Sequence, residues 1–135
     1  MNTSKLHAPK LIVALAIVAI LVTGAIHFKG APDAFNDAHY KGILFALNGL
    51  GALISAVGIG LGARSWGWGL GLLIAAGSIV GYIASRTVGL PGLPAEPDAW
   101  LEPLGVASLV AEALFVALGV WALSQSRSAI SARRS

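Results

Sequence analysis

Four long runs of apolar residues, separated by short polar stretches, dominate the chain. The runs cover residues 11–28, 42–63, 66–85 and 104–124. Each is close to the roughly 20 residues that a helix needs to cross the hydrocarbon core of a bilayer. Backbone polar groups in lipid must be bonded within a helix or a closed barrel, and the alternation typical of barrel strands is absent. The pattern therefore predicts an all-α integral membrane protein, a bundle of four transmembrane helices forming one domain.

The composition agrees with this assignment. Of the 135 residues, 56% are hydrophobic and 11% are charged, whereas a soluble domain carries about 25% charged residues. So few charged side chains do not cover a water-facing surface. The chain has no cysteine, which excludes disulfides, thiolate metal sites and thiol redox chemistry. The first run is long for a signal peptide, so we expect a retained helix.

The distribution of basic residues predicts the orientation of the bundle. With four crossings, both termini and the connection between helices 2 and 3 share one side of the membrane. That side holds most of the basic residues, namely Lys5, Lys10, Arg64, Arg127, Arg133 and Arg134. The positive-inside rule makes it cytoplasmic, so the N- and C-termini are expected in the cytoplasm. Five of the six acidic residues are then external, and the sixth, Glu112, lies within helix 4.

The two external connections differ in character. Residues 29–41 are polar and of mixed charge, and we expect them to form a loop. Residues 87–103 combine four prolines with several apolar side chains, so we expect a lid that lies over the helix ends at the membrane interface. Tryptophan and tyrosine favour such interfaces. This places Trp66, Trp68 and Trp121 at the inner surface and Tyr40, Tyr82 and Trp100 at the outer one.

Glu112 is the residue that points most directly to a function. An ionisable group near the bilayer centre costs about 2.5–3.5 kcal/mol on insertion scales and marks a functional site by default. Helical spacing places polar side chains at similar depth on three helices. We expect them to converge on one outward-opening ligand or cofactor pocket, lined by Asn48, Ser78, Tyr82, Arg86, Ser108 and Glu112. The alternative is that these residues only hold helices together through hydrogen bonds.

A metal or haem site is a second interpretation of the polar residues. His27 and His39 flank the first external connection, and Glu102 or Glu112 would complete a nitrogen and oxygen ligand set for zinc, iron or copper. Two histidines alone would suit the axial positions of a haem. No ligands occur at i and i+4 on one helix, so the signal is not specific. Thr23 and His27 do share a face of helix 1.

Small residues recur at four-residue spacing in helices 2 and 3. The repeats are Ala52-Ala56-Gly60, Gly58-Gly62, Gly67-Gly71 and Gly77-Gly81. This spacing lets helix backbones approach closely in lipid, within the bundle or toward a partner. A phosphate-binding loop, a nucleophile elbow and an assignable catalytic set are absent from the sequence, which disfavours an enzyme. The short basic tail suits anionic lipid headgroups better than nucleic acid.

Two stretches of the chain are together similar to a known kind of protein. One is His27-Phe28 with residues 38–48, AHYKGILFALN, and the other is SRTVGLPG at 85–92 with EPLG at 102–105. The combination resembles small four-helix bacterial membrane proteins of unknown function, over about residues 20–124. The resemblance implies a location in the bacterial cytoplasmic membrane. It implies no activity, cofactor or residue role.

Three functions are consistent with these features. The first is a small accessory or structural subunit of a bacterial membrane complex, bound to other subunits or to another copy through its glycine- and alanine-rich faces. The second is a metal- or haem-binding protein with a site on the external side. The third is a carrier for a small acidic or lipid-like ligand, with Arg86 as anchor and Glu112 as proton site. Such a carrier would need to dimerise, since repeats form many transport cores.

Overall fold

The computed structural model describes residues 9–134, apart from the side chains of Arg64 and residues 126–129. It contains four long helices: α1 (Lys10–Asp37), α2 (His39–Gly60), α3 (Arg64–Thr87) and α4 (Pro103–Arg134). All four are long and apolar enough to cross a membrane. The described range contains helices and no extended strand, which confirms the all-α prediction. Lys5 and the side chain of Arg127, used in the orientation argument, lie outside the described residues.

The helices form a bundle in which neighbours along the chain are neighbours in space. α1 packs against α2 and α4, and α3 packs against the same two helices. Within residues 9–134, α1 and α3 barely touch across the centre and α2 does not meet α4. Six of the ten buried core residues in the described range are alanine. The core consists of Ala16, Ala19, Ile20, Ala52, Ala56, Ile59, Trp68, Ala75, Phe115 and Ala122. This composition is typical of bundles in which helix backbones lie close together.

The connection between α1 and α2 is helical, so the predicted loop at 29–41 is wrong. α1 continues through Pro32 to Asp37, and α2 starts at His39 after a single extended residue, Ala38. Gly30 and Pro32 disfavour a helix locally. Contacts with α2 outweigh that preference. Gly30 lies against the ring of Phe45, and Ala31 and Ala34 are buried.

The connection between α2 and α3 is a tight hairpin, as the two residues between the apolar runs 42–63 and 66–85 predict. α2 ends in a Schellman motif, with the Ala63 N–H donating to the Gly58 carbonyl at 2.8 Å and the Gly62 N–H donating to the Ile59 carbonyl at 3.1 Å. Gly62 has φ +79°, a left-handed conformation that glycine adopts without strain. The motif satisfies the last carbonyls of α2 and turns the chain directly into α3.

The connection between α3 and α4 is compact and bonded to the helix ends. Leu90 and Leu93 exchange two backbone hydrogen bonds around Pro91-Gly92. The Glu96 N–H donates to the Ser85 carbonyl at 2.8 Å, which ties the segment to the end of α3. A single 3-10 turn, Pro97–Ala99, then leads toward α4. We call residues 88–102 the lid.

Trp68 does not lie at an interface as expected. It is 2% exposed and stacks on Phe115 with ring centroids 5.8 Å apart, in the core between α3 and α4. Trp66 and Trp121 are exposed, as an interfacial position requires. α4 also extends past the predicted end at 124, as far as Arg134.

Candidate functional site

Glu112 lies in a buried cluster of three oxygen-bearing side chains between α1 and α4. Thr23 on α1 and Ser108 on α4 both donate to Glu112 Oε2 at 2.5 Å. The two hydroxyl oxygens are 3.0 Å apart. Glu112 is 2% exposed, Thr23 0% and Ser108 5%. These three residues, which we call the Glu112 cluster, join the first helix to the last.

Helical geometry explains why Ser108 and Glu112 act together. They are four residues apart on α4 and therefore point to the same side, toward α1. Thr23 reaches them on a side of α1 where the buried neighbours Ala16 and Ala19 are small. The sequence predicted the pairing of Ser108 with Glu112. It did not include Thr23 among the site residues, although Thr23 is the one hydroxyl residue in residues 11–28.

His27 lies one turn further along α1 from Thr23 and borders the cluster. Its ring nitrogen Nδ1 is 2.8 Å from the Thr23 carbonyl oxygen. A carbonyl only accepts hydrogen bonds, so Nδ1 carries the hydrogen and Nε2 keeps its lone pair in the neutral ring. The ring packs on Phe45 at 4.8 Å between centroids.

Asn48 and Ser78 form a second polar contact, between α2 and α3. The Asn48 amide Nδ2 donates to Ser78 Oγ at 2.5 Å. Asn48 Oδ1 is buried and has no hydrogen-bond partner. This pair lies on different helices from the Glu112 cluster and shares no hydrogen bond with it. It joins α2 to α3 as the Glu112 cluster joins α1 to α4.

Arg86 and Tyr82 form a third group, which holds the lid on α3. Arg86 donates from Nε and Nη2 to the Ala99 carbonyl at 3.3 and 3.2 Å, and from Nη1 to Ser85 Oγ at 2.8 Å. Its guanidinium lies 4.0 Å from the centre of the Tyr82 ring. The Tyr82 hydroxyl donates to the Trp100 carbonyl at 2.5 Å. On the other side of the lid, the Tyr40 hydroxyl donates to the Pro91 carbonyl at 2.6 Å.

The six residues expected to line one pocket therefore lie in three separate hydrogen-bonded groups. Ser108 and Glu112 join α4 to α1, Asn48 and Ser78 join α2 to α3, and Tyr82 with Arg86 holds the lid. Helical spacing predicted which residues share a face. It did not predict toward which neighbour each face is turned.

The residues expected to bind a metal are also apart. Residues 28–37 are helical, so His27 and the start of α2 at His39 are separated by about 15 Å along α1, at 1.5 Å per residue. Two nitrogens bound to one metal at about 2 Å each lie within about 4 Å of one another. Glu102 instead accepts backbone N–H bonds from Leu104 and Gly105 at the start of α4. Among the described residues, no group of three His, Asp or Glu side chains is placed to hold a metal ion.

The side of α3 that points away from the bundle has alternating large and small residues. We call Gly69, Leu73, Ala76, Gly77 and Val80, all exposed, the outer face of α3. No atom lies within 4 Å of the position that a β-carbon would take at Gly69 or Gly77. α3 has the smallest buried share of the four spans, 22%, and the lowest mean hydropathy.

The fold and these clusters define a class: an all-helical protein of four helices able to cross a membrane, with a buried glutamate between the first helix and the last. The chain belongs to DUF7475, a family of unknown function, whose model matches residues 2–123. No curated protein and no solved structure matches the chain. The matched range includes all three polar groups and the outer face of α3. Membership assigns no activity.

Proposed function

We propose that the protein is a multi-pass protein of the bacterial inner membrane that serves as a small accessory subunit of a membrane complex. The length and apolar character of the four helices support insertion. The basic residues of the termini and of the α2–α3 connection support cytoplasmic termini. The observation that carries the assignment to a complex is the outer face of α3, through which the partner helix docks.

The outer face of α3 is apolar and uneven, because glycine and alanine lie beside leucine and valine. α3 is also the span least covered by the rest of the described chain. Helices in lipid associate through close packing, because the acyl chains are as apolar as the helix surfaces and the hydrophobic effect does not drive helices together. Gly69 and Gly77 leave hollows beside the exposed side chains of Leu73 and Val80. A partner helix with side chains at matching spacing would fit into these hollows.

The glycines on the opposite side of α3 illustrate the same packing within the chain. A β-carbon at Gly67 would lie 2.9 Å from the Ile59 nitrogen, and one at Gly71 would lie 2.4 Å from Phe115 and 2.5 Å from Ser55. Both glycines admit a neighbouring helix that a side chain would keep out. Glycine thus lies on two sides of α3, and one of them lacks a neighbour in the described chain.

Native mass spectrometry of the tagged protein, released with its own lipids, tests this proposal. The wild type is expected to appear with a second protein at fixed stoichiometry. A β-carbon at Gly77 would meet no atom within 4 Å, so the variant Gly77→Leu, which fills the hollow, should fold and lose the partner. Ala25→Leu, at an exposed position of α1, is the matched control and should keep it. A wild type found only as a monomer contradicts the proposal, and a homodimer assigns the face to self-association instead.

The two other functions draw less support from the contacts. A carrier that anchors its ligand on Arg86 needs that side chain free, whereas Arg86 is bonded to the lid and to Ser85. A cofactor held by His27 and His39 needs the two rings close together, and a helix of ten residues separates them. The accessory subunit requires no rearrangement of these contacts.

A further inference from the structure

We propose that Glu112, Thr23 and Ser108 form a proton-binding site inside the bundle, in which the carboxyl group is held as the neutral acid and exchanges its proton on the His27 side. This site is independent of the docking of α3. It lies between α1 and α4. Among the side chains that the structure describes, Glu112 is the one ionisable group that is fully buried.

The number of hydrogens in the cluster supports the neutral acid. Three oxygens lie in mutual contact, at 2.5, 2.5 and 3.0 Å. The two hydroxyls supply two hydrogens. If Glu112 is ionised, both hydrogens point to its Oε2, and the contact between the Thr23 and Ser108 oxygens has no hydrogen. A proton on Oε2 supplies the third. The bond between Ser108 and Glu112 then reverses: Glu112 donates to Ser108, Ser108 donates to Thr23, and Thr23 donates to Glu112, which closes a ring.

The surroundings of the cluster also favour a neutral group. Next to Glu112 and Ser108, the buried residues of α4 are Ala111 and Phe115, and next to Thr23 on α1 they are Ile20 and Gly24. A carboxylate in such an apolar setting needs a cationic partner or several donors. Two neutral hydroxyls are its side-chain hydrogen-bond donors. The same two hydroxyls suit a carboxylic acid without any counter-ion.

His27 is the ionisable group of α1 that lies one turn from Thr23, and it is bonded to the Thr23 carbonyl. Its Nδ1–H is held by the Thr23 carbonyl, so its Nε2 lone pair is the position at which a proton binds or leaves. α3 packs on the other side of α4 and carries Tyr82 and Arg86 at its outer end, both bonded to the lid. Glu102, the last residue of the lid, accepts bonds from the start of α4. His27 thus lies between the cluster and the external end of α1.

Infrared spectroscopy of the full-length protein in lipid nanodiscs tests the protonation of Glu112 directly. At neutral pH the wild type is expected to show a carbonyl band of a neutral carboxylic acid that shifts in heavy water. The band should be absent from Glu112→Gln, which keeps a polar group of the same size. A wild type without this band at neutral pH overturns the proposal, whether or not the variant folds.

Labelling with a hydrophobic carbodiimide tests the exchange route. The carboxylic O–H adds across one C=N bond of the reagent: a C–O bond forms, the proton moves to nitrogen, and no group leaves. We expect one label, located on Glu112 by peptide mass spectrometry. The rate should fall as the external pH rises, with a midpoint that shifts in His27→Gln. An unchanged midpoint in that variant overturns the role of His27, and labelling confined to the exposed acids Asp33 and Asp37 overturns the site.

Discussion

Replacement of Gly67 by alanine should open the α2–α3 hairpin, because the added carbon meets backbone and not a movable side chain. It would lie 2.9 Å from the Ile59 nitrogen and 3.0 Å from the Gly58 carbonyl carbon. Separation of the two helices would also weaken the bond from Ser55 Oγ to the Gly67 carbonyl, which measures 2.7 Å. The matched control is Gly77→Ala on the same helix, where the new carbon meets nothing within 4 Å.

The difference between the two variants isolates the packing cost. Both gain about 1 kcal/mol of helix propensity relative to glycine, so this contribution cancels in the comparison. Overpacking costs about 1–3 kcal/mol, and loss of one interhelical hydrogen bond adds about 0.6 kcal/mol. Gly67→Ala should therefore be less stable than Gly77→Ala by about 2–4 kcal/mol, with Gly77→Ala at or above the wild type.

Reversible unfolding in mixed micelles with increasing SDS, followed by tryptophan fluorescence, measures this difference. Trp66 lies against Gly58 at the same hairpin, so its emission should respond early to separation of α2 and α3. Equal unfolding free energies for the two alanine variants would refute the close backbone contact at Gly67, and with it the packing described for this hairpin.

Three further predictions concern the polar contacts. Thr23→Val and Ser108→Ala should each destabilise the bundle by about 0.6–1.7 kcal/mol. Their effects should be non-additive, because both hydroxyls bond the same oxygen of Glu112. A double-mutant cycle of unfolding free energies checks this, and strict additivity would contradict the shared ring. Arg86→Lys should speed proteolytic cleavage in residues 90–102 of protein in nanodiscs, since lysine does not reproduce the two N–H bonds to Ala99. Cleavage at the wild-type rate would show that Tyr82, Tyr40 and the Glu96 N–H hold the lid without Arg86. Asp37→Asn breaks the ion pair with Lys41, which measures 2.5 Å, yet it should lower stability by less than about 1 kcal/mol because the pair is solvent-exposed; a larger loss, or one that persists in high salt, would indicate a buried role for the pair.

The four spans, the tight α2–α3 connection and the compact lid could be predicted because they depend on local signals. Long apolar runs specify the helices, the short Arg64-Ser65 link leaves no room for a loop, and prolines interrupt residues 91–103. The continuation of α1 past Phe28 could not be predicted in this way. Gly30, Pro32 and the charged residues around them have the composition of a turn, and contacts with Phe45 and other α2 residues decide the outcome.

The candidate site was predictable within each helix and not between helices. The spacing of Ser108 and Glu112 places them on one face, and the same rule relates Tyr82 to Arg86. Which neighbour a face meets depends on the rotation of each helix about its axis, and apolar runs that are apolar on all sides do not specify this rotation. That is why Thr23, and not Asn48 or Ser78, meets Glu112. It is also why Trp68 lies in the core and not at an interface.

Photocrosslinking in living cells tests the docking of α3 most directly. A photoreactive amino acid would replace Gly77 on the outer face of α3 or, as the control, Ala25 on the exposed side of α1. The proposed accessory function predicts a discrete adduct with one other membrane protein from position 77 and none from position 25. Failure to form a protein adduct at position 77, or the same pattern from both positions, would contradict it, because α3 would then face lipid as α1 does.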